Sequence, residues 1–315
     1  MTYATCLAAS LVVACTAADE VQPYLSSDSI WTGSGSSYRL DPTKLPLGST
    51  IDDKKYVTDA PRAGYVYACD PRMFNFEQII GSRVAGPWID EQARTYDMTK
   101  KLVVQGAVTW SGSFSITASG ERRVVTGNGL PVGSPTGAYP IASSDPAYAI
   151  DRNPNSIIEQ NIAFSVPLHP SFADRPACEY KSVGITLDGI QIDGPLDSSG
   201  RDETAYQLSD LCFGRAQPGG LYHRNTLNDC SPGMTESNAL VGYALDGFGI
   251  YSMFDANGNE ITSADLDECH GMTSEVVFDG VKQVMYHYVL TRDWPYSITC
   301  FRGTPTYDAF PMLPM

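Results

Sequence analysis

The chain carries four histidines, and three of them, His223, His270 and His287, fall inside a stretch that is written twice. His223 follows Tyr222, His287 follows Tyr286, and His270 sits beside Cys269. Imidazole nitrogens are ligands for copper and zinc. In a strand, residues i and i+2 share a face, so Tyr286 and Tyr288 would stand on one side and His287 on the other. His223, His270 and His287 are therefore the candidate transition-metal ligands, on the condition that they converge, since a metal site needs the right ligand count as well as type. Arg224 and Val289 work against such a site: the first is a cation, and the second has no donor atom. The competing reading makes the three histidines hydrogen-bonded parts of a sheet. His169, between Leu168 and Pro170, reads as a strand-end residue.

Oxygen ligands offer a second chemistry. Asp255-Ala-Asn257-Gly258-Asn259-Glu260-Ile261 resembles the opening of a calcium loop, but Glu260 stands where an EF-hand needs Gly, and Leu266 where it needs Glu. Asn-Gly is also a strong turn dipeptide, and a plain turn is the favoured reading. The acids Asp188 and Asp193, and Asp265, Asp267 and Glu268, are further calcium candidates set against a solvated-loop reading. For catalysis there is no Gly-x-Ser-x-Gly elbow, Walker loop, His-Glu-x-x-His or dinucleotide fingerprint. A glycosidase carboxylate pair has no positive support, and hydrolase is the weakest of three functional readings.

The elements that would position these residues come in two copies. The first runs Gly184, Leu187-Asp188-Gly189, Ile192, Asp210, Cys212, Gly214, Tyr222-His223 and Cys230; the second runs Gly242, Leu245-Asp246-Gly247, Ile250, Asp267, Cys269, Gly271, Tyr286-His287 and Cys300. Their offset is nearly constant at first and widens only towards the last cysteine, the mark of a duplicated unit with insertions. Two copies are too few for a solenoid. They imply a pseudo-symmetric pair, 184–230 and 242–303, within one domain of about residues 61–310.

The eight cysteines, Cys6, Cys15, Cys69, Cys178, Cys212, Cys230, Cys269 and Cys300, include no Cys-x-x-Cys pair. Disulfides in an oxidising compartment are the better reading. Equivalent units should carry equivalent bridges, which predicts Cys212 with Cys230 and Cys269 with Cys300.

Residues 1–20 form an apolar N-terminal segment centred on Leu7, Leu11, Val12 and Val13, with no Lys or Arg before Arg39. Thr16-Ala17-Ala18 fits a secretory signal and Val12-Val13-Ala14-Cys15 resembles a lipobox, but the positive n-region is missing. The run is short for a membrane span, which needs about 20 apolar residues. Read as retained, it is a strand for donation to a neighbouring subunit, and head-to-tail repetition of that contact gives an open filament. The alternatives are a signal remnant or a strand tucked into its own core.

Residues 21–60 are rich in Ser, Gly, Asp and Pro and read as an arm or linker. From Tyr65 onward short alternating runs, notably 102–110, 113–117 and 122–125, are separated by Ser-Gly pairs, which are hairpin signals. Together with 28 Gly and 21 Pro they predict an all-β fold, a disulfide-stapled β-sandwich or jelly-roll-like domain with an internal repeat. A formal net charge of −15 repels phosphates and disfavours nucleic-acid binding.

Residues of about 80–306 resemble the YHYH protein family, extracellular proteins named for a Tyr-His-Tyr-His motif. The carrying pieces are Gly86-Pro87-Trp88, Asn128-Gly129-Leu130-Pro131, Asp151-Arg152-Asn153-Pro154, Leu245-Asp246-Gly247-Phe248-Gly249-Ile250-Tyr251, Asp265 to Gly271, Met285-Tyr286-His287-Tyr288, and Pro295-Tyr296 through Cys300-Phe301-Arg302-Gly303-Thr304-Pro305. The motif is degenerate here: Tyr222-His223-Arg224-Asn225 in one copy, Tyr286-His287-Tyr288-Val289 in the other, and Gly214-Arg215 where the family has Gly-His. The resemblance implies an architecture more than a reaction. The expectation is a secreted or cell-surface protein that acts through self-association rather than catalysis, with no nucleic-acid partner and no membrane span. An extracytoplasmic copper, zinc or calcium protein is the alternative.

Overall fold

The computed structural model describes residues 38–74 and 85–310. The apolar N-terminal segment, with Cys6 and Cys15, lies outside the described residues.

Short strands Leu45–Pro46 (β1), Tyr56–Val57 (β2), Val66–Tyr67 (β3), Ile89–Asp90 (β4) and Thr95–Tyr96 (β5) build two small sheets, ordered β1-β5-β4 and β2-β3. The arm is thereby wrapped onto the domain: Leu45 pairs with Tyr96, and Tyr56 runs parallel to Val66. Asp202 fixes it in place. This buried carboxylate caps the single helical turn Glu203–Tyr206 through the Ala205 N–H and accepts from Gly48 N at 2.9 Å and Tyr296 OH at 2.8 Å. A three-stranded antiparallel sheet follows, Phe114–Ser119 (β6), Arg122–Gly127 (β7) and Ile162–Pro167 (β8), in that order.

The duplicated stretch forms one eight-stranded sheet. The first copy gives Ser182–Thr186 (β9), Gln191–Asp193 (β10), Gly214–Ala216 (β11) and Tyr222–Arg224 (β12). The second gives Leu240–Ala244 (β13), Gly249–Tyr251 (β14), Gly271–Phe278 (β15) and Val281–Val289 (β16). Their order, β11-β12-β10-β9-β13-β14-β16-β15, is a palindrome. Its centre is the antiparallel pair β9/β13, so a pseudo-two-fold axis passes between them. The pairing senses repeat too: β10/β12 and β14/β16 are parallel, and every other pair in the sheet is antiparallel. The all-β, internally repeated architecture is what this sequence adopts.

Both Leu-Asp-Gly turns abut the three-stranded sheet. A Cβ on Gly189 would meet the Phe114 ring at 2.9 Å, and one on Gly247 would meet the Pro167 carbonyl at 2.5 Å, each at a positive φ. Val125, Ile162, Phe164 and Val166 share one hydrophobic core with Val183, Ile185, Ile192, Val241, Ile250 and Tyr288. One bridge staples each copy, Cys212–Cys230 and Cys269–Cys300, while Cys69–Cys178 ties the segment after β3 to the entry of the repeat.

Candidate functional site

Each copy builds the same turn before its Tyr-His strand. In the first, Asp210 Oδ1 accepts from Cys212 N at 2.9 Å and Gly214 N at 3.0 Å; in the second, Asp267 Oδ1 accepts from Cys269 N at 2.9 Å and Gly271 N at 3.0 Å. The residue before each glycine, Phe213 or His270, takes a positive φ of 58° or 67°. The motif tyrosine then closes the turn: Tyr222 OH donates to Asp210 at 2.9 Å, and Tyr286 OH to Asp267 at 3.1 Å. Only glycine fits beneath these rings, because a Cβ on Gly214 or Gly271 would overlap the Tyr222 or Tyr286 phenol. The spacing Asp-x-Cys-x-Gly, followed by Tyr-His, thus encodes a hydrogen-bonded strap.

The next motif position reaches the Leu-Asp-Gly aspartate. Tyr288 OH donates to Asp246 Oδ2 at 2.7 Å, and Gly303 N donates to the same oxygen at 2.9 Å. In the first copy Arg224 donates to Asp188 at 2.9 and 3.2 Å, to Ser231 Oγ at 2.9 Å and to Ser134 Oγ at 3.1 Å. Burial raises the Asp246 carboxyl above its ordinary range.

The three histidines do not share a site. His223 on β12 and His287 on β16 are separated by five strand-to-strand steps, about 24 Å at ~4.8 Å per step. His270 has both ring nitrogens engaged: Nδ1 with the Val289 carbonyl at 2.8 Å, Nε2 with Ser263 Oγ at 3.1 Å and Thr291 Oγ1 at 3.2 Å. His287 Nδ1 lies 3.2 Å from the Met285 carbonyl, and its ring packs edge-on to Tyr251. Burial pushes His223 down to about 3 and His270 to about 4, and lowers His287, so all three are neutral near pH 7. Among the described residues no group of three or more His, Cys, Asp or Glu side chains is arranged to hold a metal ion. The donor set does not fit one copper or zinc ion shared by these histidines.

The calcium candidates are likewise engaged within the fold. Asp255 accepts from Asn257 N at 2.8 Å and Asn259 N at 2.9 Å, closing a turn on itself with Gly258 at φ 78°. Asp265 holds Arg39 and Thr262, and Glu268 holds Arg302. His169 is exposed just beyond β8.

What sequence reasoning missed is a polar tract on one face of the first copy. Arg215, His223 and Gln191 are direct cross-strand neighbours and so share that face. Asp193 adjoins them, 3.8 Å from His223 Nε2 and 3.6 Å from Lys181 Nζ. Asp193 Oδ2, Gln191 Oε1 and His223 Nδ1 are buried without a hydrogen-bond partner. Glu179 sits behind it, pushed up to about 7 by burial. At the matching positions the second copy has Gly249, Tyr251 and His287, an aromatic contact in place of charge. The signal that would have located this tract is the failure of the repeat at Asp193 and Arg215. An open cleft of about 470 Å³, lined by Leu240, Tyr243, Val277 and Asp279 among others, touches none of the three histidines.

Residues 163–263 match the family model described as YHYH protein. The match takes in β8 to β14, including Tyr222-His223, and stops before Tyr286-His287. No curated protein and no solved structure matches the chain.

Proposed function

We propose that this YHYH-matching chain is a non-enzymatic extracellular or cell-surface subunit that assembles with copies of itself, its N-terminal apolar segment adding a strand to a neighbour. The observation that carries this reading is the fate of the motif's reactive side chains. Tyr222, Tyr286 and Tyr288 each donate to a carboxylate of the framework, and His270 uses both ring nitrogens inside the fold. The repeat is therefore a stapled body, and function falls to what that body presents.

Several properties support this reading. Three disulfides among the described residues fit an oxidising compartment. No helix of the described residues is long and apolar enough to cross a membrane. The apolar run around Leu7, Leu11, Val12 and Val13 has the composition of a donated strand, and such contacts made head to tail give an open filament.

The test compares sedimentation of the full chain with a variant lacking residues 1–18. The full chain is expected to form large species that grow with concentration, and the deletion a single monomer of unchanged melting temperature. Equal assembly of both, monomers from both, or a secreted mature chain whose mass shows residues 1–18 already removed contradicts the proposal.

A further inference from the structure

A donated strand needs an unguarded sheet edge, and the two larger sheets have four. At β11 the outward carbonyls are taken by side chains: Tyr139 OH donates to Gly214 O at 3.1 Å and Asn153 Nδ2 to Ala216 O at 2.7 Å. At β15, Tyr251 OH donates to Val277 O and Asn238 Nδ2 to Glu275 O, both at 2.9 Å. At β8, Thr306 Oγ1 donates to Ser165 O at 3.0 Å, Arg122 reaches the same oxygen, and Pro167 offers no N–H. The fourth edge, β6, differs.

The parity of β6 follows from its pairing. Phe114 pairs with Gly127 in register, and Asn128 N donates to Ser113 O at 3.0 Å. In an antiparallel ladder the hydrogen-bonded pairs alternate, so Ser115, Thr117 and Ser119 bond to β7 while Phe114, Ile116 and Ala118 turn their N–H and C=O groups outward. No described residue supplies a hydrogen bond to those outward groups. The strand reads Phe-Ser-Ile-Thr-Ala-Ser, with none of the Lys, Pro, bulge or inward charge that ordinarily protects an edge. Four of its six residues are exposed, while Phe114 and Ile116 are half-buried against the core.

Resting on the assembly reading above, we infer that the open edge of β6 is the acceptor for the apolar segment 2–18 of a second copy of this chain. Backbone groups of Phe114, Ile116 and Ala118 pair with the incoming strand, and its alternate apolar side chains extend the layer begun by Phe114 and Ile116. The chain emerges beside the second copy of the repeat, whereas the acceptor edge starts beside the first. Tyr38, the first described residue, packs on Phe254 beyond β14 in the second copy, and Arg39 bonds to Asp265. The start of β6 instead lies against Gly189 in the first copy. Residues 19–37, extended, reach up to about 60 Å, enough to bridge to a neighbour.

The test places a photo-crosslinking phenylalanine analogue at Thr117, whose side chain is exposed, in full-length protein mixed from two isotopic labels. The expected product joins position 117 to a peptide from residues 2–18 carrying the other label. Linkage only within one label, or to any other segment, overturns the acceptor assignment while leaving assembly itself intact. Alongside it, Ala118→Pro removes only an outward N–H and is expected to reduce the assembled fraction at least about tenfold, with the monomer melting temperature nearly unchanged. Full assembly by Ala118→Pro overturns the inference. If the deletion of residues 1–18 still assembles, the assembly reading fails, and that outcome is separate from both of these.

Discussion

Arg224 stands in the first copy where Tyr288 stands in the second: each pairs with the turn glycine of its neighbouring strand, Gly214 or Gly271, and each reaches the aspartate of its Leu-Asp-Gly turn. One duplicated position thus holds a buried ion pair in one half of the sheet and a phenol-to-carboxylate hydrogen bond in the other. The Arg224 and Asp188 side chains are 0% and 1% exposed. Breaking a buried pair by removing one partner costs about 3–5 kcal/mol, whereas replacing both by apolar groups is often neutral. Arg224→Ala should therefore unfold at much lower denaturant, and Arg224→Met with Asp188→Leu should recover most of the loss. Equal midpoints for Arg224→Ala and the parent chain would mean the pair holds nothing.

The two straps share their hydrogen bonds but differ in burial. Tyr222→Phe and Tyr286→Phe each remove a phenol O–H donor to a carboxylate, a loss of about 1–3 kcal/mol. Asp210 is buried and its carboxyl is raised by burial, so loss of one of its donors leaves it poorly compensated. Asp267 is partly solvated. Denaturant melts should show the larger destabilisation for Tyr222→Phe, and the reverse order would contradict the greater weight given to the buried Asp210.

Stability should also depend on pH in a direction set by burial. Glu179 and Asp202 are pushed up to about 7, from ordinary values of 4.5 and 3.8, chiefly by desolvation. Their contribution is full below the unfolded pKa and is lost as pH rises through about 7. His223 and His270, held down to about 3 and about 4 by burial, act oppositely: their contribution is full above 6.5 and lost as pH falls. Glu179→Gln isolates one group. Its stability relative to the parent should be close to equal near pH 4.5 and greater by on the order of 2–3 kcal/mol at pH 8. A difference that does not change with pH would place Glu179 in a solvated setting.

The architecture was legible wherever the two copies agree. Leu-Asp-Gly, Asp-x-Cys-x-Gly and Tyr-His recur because each encodes a turn or strap that both halves need, and the bridges Cys212–Cys230 and Cys269–Cys300 follow the same symmetry. The palindromic strand order was not legible, since nothing local in the sequence fixes that β9 pairs with β13. The metal reading turned on convergence of His223, His270 and His287, which is a property of strand order rather than of motif spacing. The arm at 38–60 shows the same limit: its turn-rich composition concealed the pairing of Leu45 with Tyr96, which depends on partners far along the chain. Gln191 and Lys181 escaped notice, and Asp193 was read only as a calcium candidate, because the significance of the three lies in a mismatch between copies.

The most direct measurement is negative-stain microscopy of the full chain titrated with the variant lacking residues 1–18. That variant accepts a strand but donates none, so it should cap growing polymers and shorten them at substoichiometric ratios. Filaments from the full chain that shorten progressively on titration are the predicted result. Isolated globular particles at every concentration, or filaments whose length ignores the truncated subunit, would contradict assembly by strand donation.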